Sequence, residues 1–199
     1  MKLYLIRHGK TEANERHLYC GSTDLPLSNA GIRELQGLCY NIPEKCLFFT
    51  SGMLRTEETL YYLFGEREHT RDERLREIDF GAFEMQSYED LKDREDYQIW
   101  ISGDNDKNVP PGGESGEQMT VRVLEALRDI RNQQKDTVLI THGGVIAAIM
   151  ERLFPEENKN RYEWQPSPGG GYVVAEESKK YECLQPVDLQ RFKIEISTA

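Results

Sequence analysis

Leu3-Tyr4-Leu5-Ile6-Arg7-His8-Gly9 is an apolar run that breaks off at an arginine, a histidine and a glycine. A run this short, rich in strand formers and closed by a small residue, reads as a buried parallel strand. In an open α/β sheet, ligands sit outside the carboxyl ends of the strands, so Arg7 and His8 stand where chemistry is done. On these residues alone, an ordinary strand end with two solvated polar side chains explains the pattern as well.

The pattern recurs. Thr137-Val138-Leu139-Ile140-Thr141 is a second β-branched run, and it breaks into His142-Gly143-Gly144 before an apolar helical stretch from Val145 to Phe154. Leu47-Phe48-Phe49-Thr50 ends at Ser51, and Arg55 falls in the first turn of a helix whose N-cap is expected at Ser51 or Thr50. If these strands are neighbours in a parallel sheet, Arg7, His8, Arg55 and His142 converge, and helix N-termini add partial positive charge. Two guanidinium groups held together without a counter-charge cost on the order of several kcal/mol. A phosphoryl group relieves that cost, because its oxygens accept the arginine forks.

Arg7-His8-Gly9 with Thr11 and Asn14, then Ser51 with Arg55, Leu75-Arg76-Glu77 with Gly81 and Glu84, and His142-Gly143 follow one another in an order that resembles the histidine phosphatase (phosphoglycerate-mutase-like) superfamily, from Leu3 to about Ile149. The resemblance implies an α/β fold, a three-layer α/β/α sandwich with a mostly parallel central sheet. It also implies a metal-independent phosphomonoesterase that works through a phosphohistidine and needs no cofactor.

Chemistry alone leaves the nucleophile open between His8 and His142, since either neutral imidazole can attack phosphorus; the resemblance assigns it to His8. It places Arg7, Arg55 and His142 as donors to the phosphoryl group, where charge spreads over the equatorial oxygens. Glu77 is the candidate acid for the leaving alkoxide, its pKa expected to rise beside a phosphate; without the motif it would pass for one surface carboxylate among 35 acidic residues. Asn14 is expected to bond a phosphoryl oxygen, Gly143 to belong to the same binding set, and Gly21 either to let backbone approach the ligand or to make a turn. His17 and His69 have no evident partner. Three positions depart from the family pattern. Lys10 stands where an acidic residue is common, Phe83 replaces a tryptophan and Met85 replaces a glycine. They bear on the lid and the substrate and remove no catalytic group.

Composition agrees with a compact enzyme. The 199 residues, 38% hydrophobic and 30% charged, suit a single domain over 1–199. A net charge of −10 argues against nucleic-acid and anionic-membrane partners and leaves a small phosphorylated metabolite. No stretch reads as a targeting or membrane-spanning segment, so a cytoplasmic location is expected. The four cysteines lack any Cys-x-x-Cys spacing and read as reduced structural thiols. A homodimer is left open.

Along the chain, Lys10 to Pro26 reads as a polar loop. Ser28 caps a helix carrying Ile32, Leu35 and Leu38, with Pro43 beyond its end, and the Arg55 helix carries Leu54, Leu60, Tyr61, Leu63 and Phe64 up to Gly65. Residues 78–114 read as a lid excursion over the site, with helix between Tyr88 and Trp100. Ser115 and Gln118 form a capping box ahead of the core stripe Met119, Val123, Leu127 and Ile130. Gly171–Ala175 and Tyr181–Leu184 are expected to pair at one side of the sheet.

For the substrate, Thr11-Glu12-Ala13-Asn14, Leu18-Tyr19-Cys20-Gly21 and Pro26-Leu27 look most like the α-ribazole phosphatase branch, whose members remove the 5′-phosphate from a cobalamin lower-ligand nucleotide. Tyr19, Phe83, Tyr88 and Trp100 either stack on such a base or only pack the lid. The alternatives are a broad-specificity acid or sugar phosphatase and a cofactor-dependent phosphoglycerate mutase. A metal hydrolase using His8, His142 and Glu77 conflicts with Arg7, which would repel the cation, and a non-catalytic binding module does not need all these side chains.

Overall fold

A computed structural model describes residues 1–103 and 106–187. The end of the expected single domain, residues 188–199, lies outside the described residues, as do Asp104 and Asn105 of the expected lid excursion. Among the described residues the sheet has six strands: β1 (Lys2–Arg7), β2 (Leu47–Thr50), β3 (Thr70–Arg71), β4 (Thr137–Thr141), β5 (Gly171–Ala175) and β6 (Lys180–Cys183). Their order is β3-β2-β4-β1-β5-β6. β3, β2, β4 and β1 run parallel, and the expected pair β5 and β6 adds antiparallel to the free side of β1. Arg7 pairs with Thr141 and Thr50 with Ile140, so three strands finish level and hand over directly to His8, Ser51 and His142.

Side-chain alternation explains why these strands read as unbroken apolar runs: both faces are covered. Leu3, Leu5 and Leu139 join one core with the stripe of α6 (Gly116–Arg131) and the buried residues of α7 (Gly143–Leu153). Tyr4, Ile6, Val138 and Ile140 join the other, with Leu60 of α3 (Leu54–Phe64), against which α2 (Asn29–Gln36) packs. Ser28 caps α2 and the Ser115–Gln118 box caps α6, as their sequences predict. The lead-in loop holds one further short helix, α1 (Glu12–Glu15).

One local expectation on α3 is corrected. Its N-cap is Met53 with no side-chain cap bond, because the Ser51 hydroxyl is engaged by His142 and Thr56, while the Leu54 N–H donates to Asp24. Leu54 and Tyr61 are 46% and 57% exposed, and Arg55, Thr56 and Thr59 are buried in their place. The first turns of α3 face the strand ends with polar groups and only the later turns face apolar core.

The excursion 78–114 holds α4 (Tyr88–Leu91) and α5 (Glu95–Ile101), matching the helix expected there. Phe83, Leu91, Tyr97 and Trp100 form a small core of their own. Phe83 packs 5.4 Å from the rings of both Tyr97 and Trp100. Met85 has φ of +60°. Among the described residues no helix is long and apolar enough to cross a membrane.

Candidate active site

His8 follows the last residue of β1, and its N–H donates to the Thr141 carbonyl at 2.9 Å. Its Nδ1 lies 2.7 Å from the Gly9 carbonyl. A carbonyl only accepts, so that bond puts the proton on Nδ1 and leaves the Nε2 lone pair free. The Gly9 N–H donates to Thr59 Oγ1 at 2.9 Å, and Thr59 donates onward to the Arg55 carbonyl. Burial first, then Arg55 and Arg7, hold the His8 pKa well below the ordinary imidazole value, so the ring is neutral.

His142 stands 5.1 Å from His8, ring centre to ring centre, and is the N-cap residue of α7. Arg55 Nε donates to His142 Nδ1 at 3.3 Å. Because arginine cannot accept, His142 carries its proton on Nε2 and donates it to Ser51 Oγ at 2.9 Å. Thr56 gives its hydroxyl proton to the Met53 carbonyl, which leaves its oxygen to accept from Ser51. Burial, then Arg55, keep His142 neutral too. The remaining Arg55 contacts are with a loop: Nη1 donates to the Thr23 carbonyl at 2.9 Å and Nη2 to the Gly21 carbonyl at 2.7 Å. Three of the five guanidinium N–H groups are thus engaged by protein, and one on each terminal nitrogen is left.

Glu77 is held at the N-terminus of α7. Its Oε2 accepts the Gly144 N–H at 2.9 Å and its Oε1 the Ile78 N–H at 3.0 Å. Arg122 of α6 steadies this segment by donating to the carbonyls of Arg74, Arg76 and Glu77. Arg7 donates to the Pro166 carbonyl at 2.8 Å, and its buried Nε has no partner. Both glycines of the His142-Gly143-Gly144 step make room. A Cβ on Gly143 would lie 3.2 Å from Arg7 Cζ, and one on Gly144 only 2.4 Å from Glu77 Oε1.

Asn14 lines the cavity beside Arg7 and Glu77, while its Oδ1 caps α1 by accepting from Thr11. Gly21 presents its carbonyl to Arg55 and its N–H to Glu84, and a Cβ there would sit 1.6 Å from the Ile78 carbonyl oxygen. That cavity, of about 460 Å³, is walled by Tyr19, Phe80 and Trp100. Phe83 and Tyr88 are not among its lining residues; Phe80 and Tyr162, which the sequence did not single out, are. His8, Arg55 and His142 are not among its lining residues and are 5%, 1% and 0% exposed.

Sequence reasoning passed over Thr59, Arg122 and the role of Glu84, all of which act on chain segments distant in sequence. The one available signal was the run of polar residues Arg55, Thr56 and Thr59 in the first turns of α3. The four cysteines are free. Among the described residues no group of three or more His, Cys, Asp or Glu side chains is gathered to hold a metal ion.

Known proteins share this arrangement of chain. The chain is 33% identical over 167 residues to the adenosylcobalamin/α-ribazole phosphatase of Salmonella typhimurium, spanning 77% of this chain and 79% of that one. The crystal structure of the α-ribazole phosphatase from Shigella flexneri superposes with a TM-score of 0.79 at 26% identity, over 94% of this chain and 96% of the other. A phosphoglycerate mutase from Thermus thermophilus superposes with a TM-score of 0.72 at 30% identity, over 94% and 100%. The family model of the histidine phosphatase superfamily (branch 1) matches residues 3–188, which include every strand end and side chain described above, so the chain belongs to that superfamily.

Proposed function

We propose that the chain hydrolyses a small phosphomonoester, α-ribazole 5′-phosphate, through a phosphohistidine on His8. The His8 Nε2 lone pair attacks phosphorus, the ester P–O bond breaks, and Glu77 gives a proton to the departing alkoxide. Water then attacks the phosphohistidine, Glu77 takes its proton, and inorganic phosphate leaves with His8 restored. Arg7, the two remaining Arg55 N–H groups and His142 stabilise the charge on the phosphoryl oxygens. For His142 to take part, its Nε2–H must exchange Ser51 for a phosphoryl oxygen.

The observation that carries this reading is the bond from His8 Nδ1 to the Gly9 carbonyl, which leaves Nε2 unprotonated in a neutral ring. The aromatic wall and the α-ribazole phosphatase relatives support the substrate. A generalist phosphatase is the second reading, favoured by the likeness to a phosphoglycerate mutase. Two measurements test the proposal. Labelled substrate should leave an acid-labile, base-stable adduct that His8→Ala abolishes; an adduct surviving that change moves the nucleophile elsewhere. The kcat/KM for α-ribazole 5′-phosphate should exceed those for phosphoglycerate and a sugar phosphate, and comparable values leave the generalist.

A further inference from the structure

The cavity that Arg7 and Glu77 line continues well past them. Gly144, whose N–H holds Glu77, and Glu151 both line it. Both belong to α7, and Glu151 follows seven residues later. Seven residues are almost two full turns, so both point to one side of the helix, separated by about 10 Å at 1.5 Å per residue. The cavity therefore runs along α7 away from His8.

At its far end stands a charged group the reaction does not use. Arg161 Nη1 is 3.0 Å from Asp106 Oδ1, and Arg161 Nη2 is 3.4 Å from Glu151 Oε2. Gly116, the first residue of α6, lets the guanidinium in, since a Cβ there would lie 2.6 Å from Arg161 Nη1. Two carboxylates on one guanidinium leave one net negative charge, and the cation already faces its own acids. Arg161 Nη2 also donates to Thr120 Oγ1, and its Nε is buried without a partner, so what this triad turns toward a ligand is chiefly the second oxygens of Asp106 and Glu151, which accept hydrogen bonds and repel anions. Along the way, Tyr19, Phe80 and Trp100 offer ring surface, their centroids 5.1 to 6.0 Å apart.

We infer that Glu151, about 10 Å along α7 from Gly144, forms with Asp106 and Arg161 a distal recognition subsite that accepts a neutral, hydroxyl- or N–H-bearing group and rejects a second anionic group. The fitting substrate class is a phosphorylated sugar carrying a flat ring system: phosphoryl at Arg7, ring against the aromatic wall, hydroxyls on the carboxylates. A three-carbon ester is too short to reach Glu151, and a phosphorylated carboxylic acid brings like charge toward it. The inference rests on the phosphatase reading and deepens it.

The test uses three probes: adenosine 5′-monophosphate, 3-phosphoglycerate and p-nitrophenyl phosphate. Glu151→Lys should lower the kcat/KM ratio of the nucleotide to p-nitrophenyl phosphate by about tenfold, mainly through KM, the size expected for losing a charged hydrogen bond. The same variant should raise the ratio of 3-phosphoglycerate to p-nitrophenyl phosphate. Asp106→Asn should move both ratios in the same directions by less, and it decides the matter if the lysine variant does not fold. Ratios that stay where they are in folded variants overturn the subsite while leaving the phosphatase intact. A wild-type enzyme that turns over neither these three nor α-ribazole 5′-phosphate overturns the phosphatase reading and the subsite with it.

Discussion

Glu84 and Arg55 grip one loop from opposite sides. The Glu84 carboxylate accepts the N–H groups of Gly21, Ser22 and Thr23, together with Phe80 N–H and the Thr23 hydroxyl. Arg55 donates to the carbonyls of Gly21 and Thr23. The anion binds the positive ends of those peptides and the cation binds their negative ends, so each side chain fixes the other through the backbone between them.

Removing the charge should therefore loosen Arg55 without touching it. Glu84→Gln is expected to lower stability by about 1–3 kcal/mol, the range for charged hydrogen bonds, and to slow phosphohistidine formation by tenfold or more. Thermal melts and single-turnover trapping measure the two effects. A variant that melts earlier yet traps at the wild-type rate would show that Arg55 needs no help from the loop.

Acid should destabilise this protein earlier than its carboxylates predict. The pKa values of His8 and His142 are lowered in the folded state by burial first and then by Arg55. Below the ordinary imidazole value, about 6.5, the unfolded chain takes up protons that the folded one refuses. Stability is full above that pH and falls as pH drops toward the folded values, by about 1.4 kcal/mol per pH unit for each imidazole. Urea midpoints between pH 7.5 and 5.5 read the slope, and His142→Asn should remove about half of it.

Gly144→Ala puts a methyl group where the Glu77 carboxylate lies. The acid should be displaced and kcat should fall by about 10²-fold, the lower range for general acid catalysis. Both Gly144→Ala and Glu77→Gln should hurt an alkyl phosphate, whose leaving oxygen needs the proton, far more than an aryl phosphate. Equal losses on the two esters would make Glu77 a structural carboxylate.

Met85→Gly should stabilise the excursion 78–114. A side chain at φ of +60° costs about 1–2 kcal/mol, and glycine returns part of that as extra freedom of the unfolded chain, leaving a net gain of about 0.5–1 kcal/mol. A lower melting temperature would mean that the half-buried methionine packs better than its backbone suffers.

The central strands were legible because both their faces are buried, which turns alternation into continuous apolar runs, and each run stops where a polar site begins. Caps carried by Ser28 and by Ser115 with Gln118 were legible because their partners lie three residues away. β3 was not: Thr70 and Arg71 are exposed and carry no period. Met53 as a cap was hidden because Ser51 bonds to His142, 91 residues distant. Asn14 shows the same limit, since its helix cap with Thr11 is local while its place on the cavity wall depends on residues far along the chain. The grips of Glu84 on the loop and of Arg122 on residues 74–77 join segments more than 40 residues apart, where no local pattern records them.

Phe83, Leu91, Tyr97 and Trp100 cluster apart from the core that encloses α7. An excursion with its own interior can detach as one cooperative unit while the sheet and α7 stay folded. Native-state hydrogen exchange should then show two levels of protection: amides of α4 and α5 exchanging through a shared, less costly opening, and those of α7 only through global unfolding. Such an opening would lift the aromatic wall and Glu84 together, leaving the α7 amide that holds Glu77 in place. The pace at which product escapes would then follow the stability of a four-residue cluster rather than the strength of any bond to phosphate.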